Sequence, residues 1–296
     1  MRLFLTKFWK VLFLINVTAS IVSIPKKGDL SNCNNYRGIS LIKVGFKILS
    51  KIVTDRISKY AFKHNFIRPE QFGFRKHEEC ISLYISIRVI CQRRKFKGKF
   101  TYVVFRDLKK GYDSVPIFII LTKIFHLGIR NKCFDFISNL YLTSKARARY
   151  LDMLSNEFPI HCGVRQGCPL SPILFNLFIN DILNNCDKYG VSIGNKKCCG
   201  GLFADDIVLI APSERKMKAL LRYVFCWANK NEMSFGLVSI NRLPWLLNPP
   251  NYALLFLVMK NVHFTFGMYS IPKASVYIYL GIPFSNDLSL EPIYHL

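Results

Sequence analysis

Acidic residues are scarce in this chain: 18 Asp and Glu stand against 42 Lys and Arg over 296 residues, a net charge of +24. So large a bias raises the local potential around a polyanion and favours nucleic acid through counterion release. A membrane-surface protein would share the bias but gather it on one amphipathic face, whereas here the basic residues are spread along the chain. Paired Cys-x-x-Cys spacing is also missing, although there are ten cysteines, and adjacent Cys198-Cys199 makes a poor zinc ligand pair. We read the cysteines as reduced, mostly buried thiols of an intracellular protein. No apolar run is long enough to span a membrane. The stretch Val11 to Ser20, behind the basic Met1 to Lys10, resembles the hydrophobic region of a signal peptide, but it is short and interrupted. A start codon cutting into a longer chain is the expected explanation. Half of the residues are hydrophobic, which excludes disorder and supplies a full core in one large domain or two lobes.

Two adjacent carboxylates, Asp205 and Asp206, lie between the apolar runs Leu202-Phe203-Ala204 and Ile207-Val208-Leu209-Ile210. Both runs read as strands, so the pair sits at the tip of a buried hairpin. Like charges there are unfavourable unless a cation neutralises them, and hard oxygen donors point to Mg²⁺. The competing reading is a plain tight turn, in which Asp tolerates left-handed backbone. Further back, Thr101 to Phe105 is a β-branched and aromatic strand that Asp107 closes. A strand's C-terminal end is where sheet-based sites gather ligands.

Other stretches read as follows. Ile21 to Ile24 and Tyr36 to Ile42 are strands, with Lys26 and Arg37 near their join, suited to a triphosphate or simply solvated. Lys43 to His64 is a helix with apolar positions Val44, Ile48, Ile52, Val53, Ile57, Tyr60 and Ala61. A helix from about Cys80 to Cys91 precedes a basic loop, Arg93-Arg94-Lys95-Phe96-Lys97-Gly98-Lys99, which suits a phosphate backbone or solvent equally. Two core helices follow near Ile117 to Leu127 and Lys132 to Leu142. Ala146 to Tyr150 and Phe158 to Cys162 alternate like a hairpin that puts Arg147 and Arg149 on one face. The Gly- and Pro-rich turn from Gly163 to Pro172 leads into an apolar helix, Ile173 to Leu183. Such a turn lets backbone approach a ligand closely, or packs inside the protein.

Taken in order, these stretches resemble the reverse transcriptase domain of non-LTR (LINE-like) retrotransposons, from about Ile21 to Phe284. Ile24-Pro25-Lys26 through Tyr36-Arg37-Gly38-Ile39 looks like the first fingers motif, and Gln71-Phe72-Gly73-Phe74-Arg75 like the second. Phe105-Arg106-Asp107 through Val115 is similar to the palm strand motif. Gly163 to Pro172 matches the loop before the palm helix, and Phe203-Ala204-Asp205-Asp206 the catalytic hairpin. Tyr279-Leu280-Gly281-Ile282 looks like the primer-side motif. The resemblance implies an α+β right-hand polymerase, with fingers and an antiparallel palm sheet packed on helices. It implies an RNA template, a DNA primer, deoxynucleoside triphosphates and two Mg²⁺ ions held by Asp107, Asp205 and Asp206, with Asp206 less directly engaged. It makes Tyr112 the ring that excludes a ribose 2′-hydroxyl. Lys26 and Arg37 become triphosphate ligands, and Gln166 and Gly167 the nucleotide-contacting pair. Arg93, Arg94, Lys95, Arg147 and Arg149 are the expected nucleic-acid contacts. A nuclear location is implied, and no membrane.

The expected division is an N-terminal remnant (1–20), fingers (21–100 and 116–160), a palm strand (101–115), palm (161–290) and a tail (291–296). A helical thumb is expected to be missing, as in a truncated copy. The chain departs from the family's pattern at Arg106, usually apolar, where we expect a neighbouring carboxylate or template phosphate as partner. It departs at Gly111, usually Ala, and across 237–260, where Leu237 to Pro250 lacks the family's lysine. Leu243-Pro244-Trp245-Leu246-Leu247-Asn248-Pro249 reads as frameshifted coding sequence, with His263 to Phe284 back in frame. The alternative function is an inactive remnant that binds nucleic acid through its basic surface.

Overall fold

A computed structural model describes residues 18–26, 29–75, 78–235, 252–256, 264–271, 273–274 and 276–288. The basic and apolar N-terminal stretch before Thr18, the Leu237 to Pro250 segment and the 291–296 tail lie outside the described residues. In chain order the elements begin with β1 (Thr18–Pro25), β2 (Tyr36–Leu41), α1 (Val44–Lys63), α2 (Cys80–Phe96) and β3 (Tyr102–Asp107). Helices α3 (Ile117–His126) and α4 (Asn131–Leu142) precede β4 (Lys145–Tyr150), β5 (Met153–Leu154), β6 (Phe158–Pro159) and α5 (Ser171–Ile179). Next come β7 (Val191–Ile193), β8 (Lys196–Cys198), β9 (Gly200–Phe203), β10 (Asp206–Ala211) and α6 (Glu214–Lys230). The remaining strands are β11 (Tyr252–Phe256), β12 (Phe264–Phe266), β13 (Tyr269–Ile271), β14 (Lys273–Ala274), β15 (Val276–Tyr279) and β16 (Ile282–Ser285).

The chain forms two compact units. One holds the described residues up to 66 together with 112–178; the other holds 67–111 and those from 179 onward. This cut differs from the expected division. Residues 67–100 go with the carboxylate strands because Leu83, Tyr84, Ile87 and Cys91 of α2 share a core with Phe105 and Val208. Residues 161–178 go with the β1–β2 ladder because Ser40 N–H donates to Gln166 O at 2.7 Å.

In the first unit the sheet order is β2-β1-β4-β5, with β6 paired to β4. β1 alternates Ile21-Val22-Ser23-Ile24 and ends at Pro25, which offers no N–H to continue a ladder. β4 joins β1 in parallel, with Ser20 opposite Arg147 and Val22 opposite Arg149. α1 forms as expected, but its buried stripe is Phe46, Leu49, Val53, Ile57 and Ala61. Val44 and Ile48, expected to be buried, are 72% and 56% exposed. Apolar side chains ring the start of this helix, so its period alone does not choose a face; Phe46 does, by packing on Phe136 of α4 at 5.4 Å.

The second unit is built on the sheet β14-β11-β3-β10-β9. Its β11–β3, β3–β10 and β10–β9 pairs are antiparallel, and β11–β14 is parallel. One face, through Val103, Phe105, Val208 and Ile210, meets α2 and the β15–β16 hairpin residues Tyr277, Tyr279 and Phe284. α6 packs on β10 and β12 through Met217, Leu220, Leu221 and Val224, after Ser213 caps its first turn. α2 runs to Phe96, so Arg93, Arg94 and Lys95 form its last turn and not a loop. Their charges suit the negative end of the helix dipole. Gly98, at φ +61°, ends the helix, with Lys99 N–H on Arg94 O and Gly98 N–H on Lys95 O, both at 2.9 Å.

None of the ten cysteines is paired, but only four are buried; Cys33, Cys162 and Cys226 are exposed. No helix among the described residues is long and apolar enough to cross a membrane.

Candidate active site

The three acidic residues converge through strand register. Asp107 ends β3, Asp206 begins β10, and the antiparallel ladder sets them directly opposite each other. Asp205 precedes Asp206 in the β9–β10 turn, and its carbonyl accepts Leu108 N–H at 3.3 Å. The strands that deliver them are apolar: Ile207, Val208, Leu209 and Ile210 are fully buried, as are Val103 and Val104. Burial first, and the Asp205 carboxylate second, push the pKa of Asp206 up to about 7. The phenols of Tyr277 and Tyr279 are also raised, by burial and then by Asp206. Carboxylate oxygens have the donor chemistry that a hard divalent cation requires. Among the described residues, however, no group of three or more carboxylate, imidazole or thiol side chains closes into a metal-holding set.

Arg106 is buried against aromatic rings. It is 3% exposed, and its guanidinium lies 4.0 Å from the Phe266 ring centroid and 4.9 Å from that of Phe235. The aromatic faces receive the cation on the side of β3 opposite Phe105.

The residues expected to bind the nucleotide all belong to the first unit. Arg37 lies opposite Ile24 on β1, and Lys26 N–H bonds Asn35 O at 2.7 Å; both side chains are exposed. Tyr112, Gln166 and Gly167 gather around the 163–168 loop. Val164 N–H donates to Tyr112 O at 2.7 Å, and Gln166 Nε2 donates to Asp113 Oδ1 at 2.7 Å. The Tyr112 ring stacks on Phe175 with centroids 4.8 Å apart. Gly167 sits at φ +102°, where a Cβ would meet Ser40 O at 2.8 Å. Its close approach is therefore to β2 of its own unit.

The basic residues divide by what they hold. Arg93 is exposed, but Arg94 donates to Thr101 Oγ1 (2.8 Å) and Phe100 O (2.5 Å), and Lys95 donates to Asp287 O at 2.7 Å. Arg147 pairs with Glu157 at 3.1 Å, and Arg149 Nε donates to Leu151 O at 3.1 Å. Alternation along β4 does put Arg147 and Arg149 on one face. The stretch Gln71 to Arg75 was expected as the second fingers motif, but none of residues 70–73 was given an individual role. In the structure they border β9: Leu202 N–H donates to Glu70 O and Phe72 N–H to Leu202 O, each at 2.8 Å.

A family model described as reverse transcriptase (RNA-dependent DNA polymerase) matches residues 24–237. The chain is similar to the Pol polyprotein of the type-1 R2 retrotransposable element of Nasonia vitripennis, 25% identical over 90% of this chain and 26% of that protein. It is 28% identical to the R2DM polyprotein of Drosophila melanogaster over 69% of this chain and 19% of that one. With the RNA-directed DNA polymerase of the jockey element of Drosophila funebris it shares 27% identity, over 66% and 21%. It thus spans about a quarter of the length of the curated relatives it matches. Among solved structures, Candida albicans telomerase superposes with a TM-score of 0.58 at 11% identity, over 92% of this chain and 45% of that one. Apo telomerase from Candida tropicalis gives 0.58 at 10%, over 90% and 53%. The fold is therefore the α+β fingers-and-palm fold of right-hand polymerases.

Proposed function

The chain belongs to the reverse transcriptase (RNA-dependent DNA polymerase) family, that of non-LTR retrotransposons, and we propose that it extends a DNA primer on an RNA template with deoxynucleoside triphosphates. The unit built on β3, β9 and β10 is the palm, and the unit built on β1, β2 and β4 belongs to the fingers. One observation carries the reading: Asp206 lies opposite Asp107, with Asp205 beside it at the tip of an apolar hairpin.

Each residue then has a task. Asp107 and Asp205 present oxygen donors where the primer 3′-hydroxyl and the α-phosphate meet, and Asp206 supports them from the strand start. Two Mg²⁺ ions, when bound, supply charge neutralisation at the entering and leaving oxygens. Lys26 and Arg37 hold the triphosphate, Arg by a two-point contact and Lys as a point charge. Tyr112, backed by Phe175, presents a fixed ring to the sugar and selects against a 2′-hydroxyl. Gln166 orients the nucleotide from the loop fixed on β2. Arg93, Arg147 and Arg149 add non-specific attraction for phosphate backbones. We place this work in the nucleus, as the family resemblance implies.

Purified protein should extend a labelled DNA primer annealed to RNA when Mg²⁺ and deoxynucleotides are added, and Asp205→Ala should not. Salt-sensitive RNA binding without extension by the wild type would replace the polymerase reading with that of a nucleic-acid binder.

A further inference from the structure

The turn that carries Asp205 and Asp206 holds a strained residue. Ala204 has φ 55°, a left-handed conformation that an L side chain adopts only where its surroundings enforce it. The nearest enforcement comes from far away in sequence. Gln71 is 0% exposed, and its Oε1 accepts the backbone N–H of Ala204 at 3.3 Å and that of Gly73 at 2.8 Å. Two amide donors face this atom, so the oxygen end of the carboxamide must point at the turn. Its Nε2 is buried without a hydrogen-bond partner among the described residues, so the acceptor, not the donor, accounts for a glutamine here.

Gln71 is itself fixed on three sides. Its N–H donates to Arg68 O at 3.1 Å, its carbonyl accepts Arg75 Nη1 at 3.1 Å, and it bridges Leu202 as a parallel partner on β9. Gly73 closes the contact. A Cβ there would lie 2.3 Å from Ala204 N and 3.0 Å from Phe203 C, so only glycine lets the two backbones touch. The 70–73 segment thus acts as a template for the turn's backbone, one residue before the first carboxylate.

We propose that Gln71 is a positioning residue of the polymerase site: its Oε1 holds Ala204 in the left-handed conformation that aims Asp205 and Asp206. This rests on the reverse transcriptase reading of those aspartates, but the hold on the turn is measurable without activity. Gln71→Met keeps the length and apolar bulk of the side chain and removes the acceptor, so it separates positioning from packing. In Gln71→Met the Ala204 amide should exchange with deuterium roughly tenfold faster or more, while Ile210, whose N–H donates to Cys199 O, keeps its protection. Binding of Mn²⁺, read by its electron paramagnetic resonance signal, should weaken roughly tenfold. In primer extension kcat should fall with the nucleotide KM unchanged, because the substitution leaves the proposed triphosphate ligands Lys26 and Arg37 intact. Gly73→Ala, which presses on the same amide, should also speed Ala204 exchange.

Unchanged Ala204 exchange in both variants overturns the proposal, and so does wild-type Mn²⁺ affinity in Gln71→Met. If the wild type bound no Mn²⁺ and extended no primer, the polymerase reading would fall and the positioning role with it. Ala204 exchange would still report whether Gln71 holds the turn.

Discussion

Asp206 should destabilise its own protein at neutral pH. Its pKa is pushed from an ordinary 3.8 up to about 7 by burial and by Asp205. A carboxyl with a raised folded pKa binds its proton more tightly in the folded than in the unfolded chain. The resulting penalty is absent below about pH 4, grows as pH rises, and is complete above about pH 7. Three pKa units correspond to roughly 4 kcal/mol, an upper bound because the buried site relaxes around the charge. Asp206→Asn, of nearly the same shape and without charge, should therefore be more stable than wild type by about 2–4 kcal/mol at pH 8 in chelator. The two should converge near pH 4.5. Urea unfolding at both pH values measures this directly. Mg²⁺ at about a hundred times its dissociation constant should stabilise the wild type at pH 8 by roughly 2.7 kcal/mol. An Asp206→Asn protein no more stable than wild type at pH 8, or one offset equally at both pH values, refutes the reasoning.

Arg106→Ala should lose roughly 2–4 kcal/mol of stability by urea unfolding, because it empties the cage formed by Phe235 and Phe266. The salt dependence of its RNA binding should not change; a shallower slope would return Arg106 to the template. Tyr112→Val should raise the relative kcat/KM for ribonucleotides roughly tenfold or more in primer extension, and unchanged discrimination would remove the ring from the sugar gate. Arg149→Ala should reduce the slope of log K against log salt for single-stranded RNA by about 0.7, whereas an unchanged slope takes β4 out of the nucleic-acid contacts.

How much of this was legible in the sequence follows from the range of the forces involved. Asp107 at a strand end and the Asp205-Asp206 pair between two apolar runs are local signals, and β3, β9 and β10 form where those signals put them. The register that sets Asp206 against Asp107 is a non-local pairing that alternation cannot specify. α6 was readable, from Ser213 as cap and from Met217, Leu220, Leu221 and Val224 at helical spacing, but no strand or loop signal drew attention to it. The extension of α2 through Arg93, Arg94 and Lys95 was masked by their charge, although Gly98 marks where the helix stops. The aromatic cage around Arg106 depends on Phe266, 160 positions away, and the hold of Gln71 on Ala204 spans 133 residues. No window of sequence contains either one. The carboxylate site was thus visible as a set of residues, and its support was visible only in three dimensions.

We propose that Asp107, Asp205 and Asp206 make this chain a metal-dependent, RNA-templated DNA polymerase. The most direct test is the initial rate of DNA synthesis on a primed RNA template, with Mg²⁺ withheld and then restored, for wild type beside Asp107→Ala. No product should form without Mg²⁺, product should appear on its addition, and the rate should be lower by roughly 10²–10³-fold or more in the variant. Synthesis that continues in chelator, or an Asp107→Ala protein as fast as wild type, would contradict it.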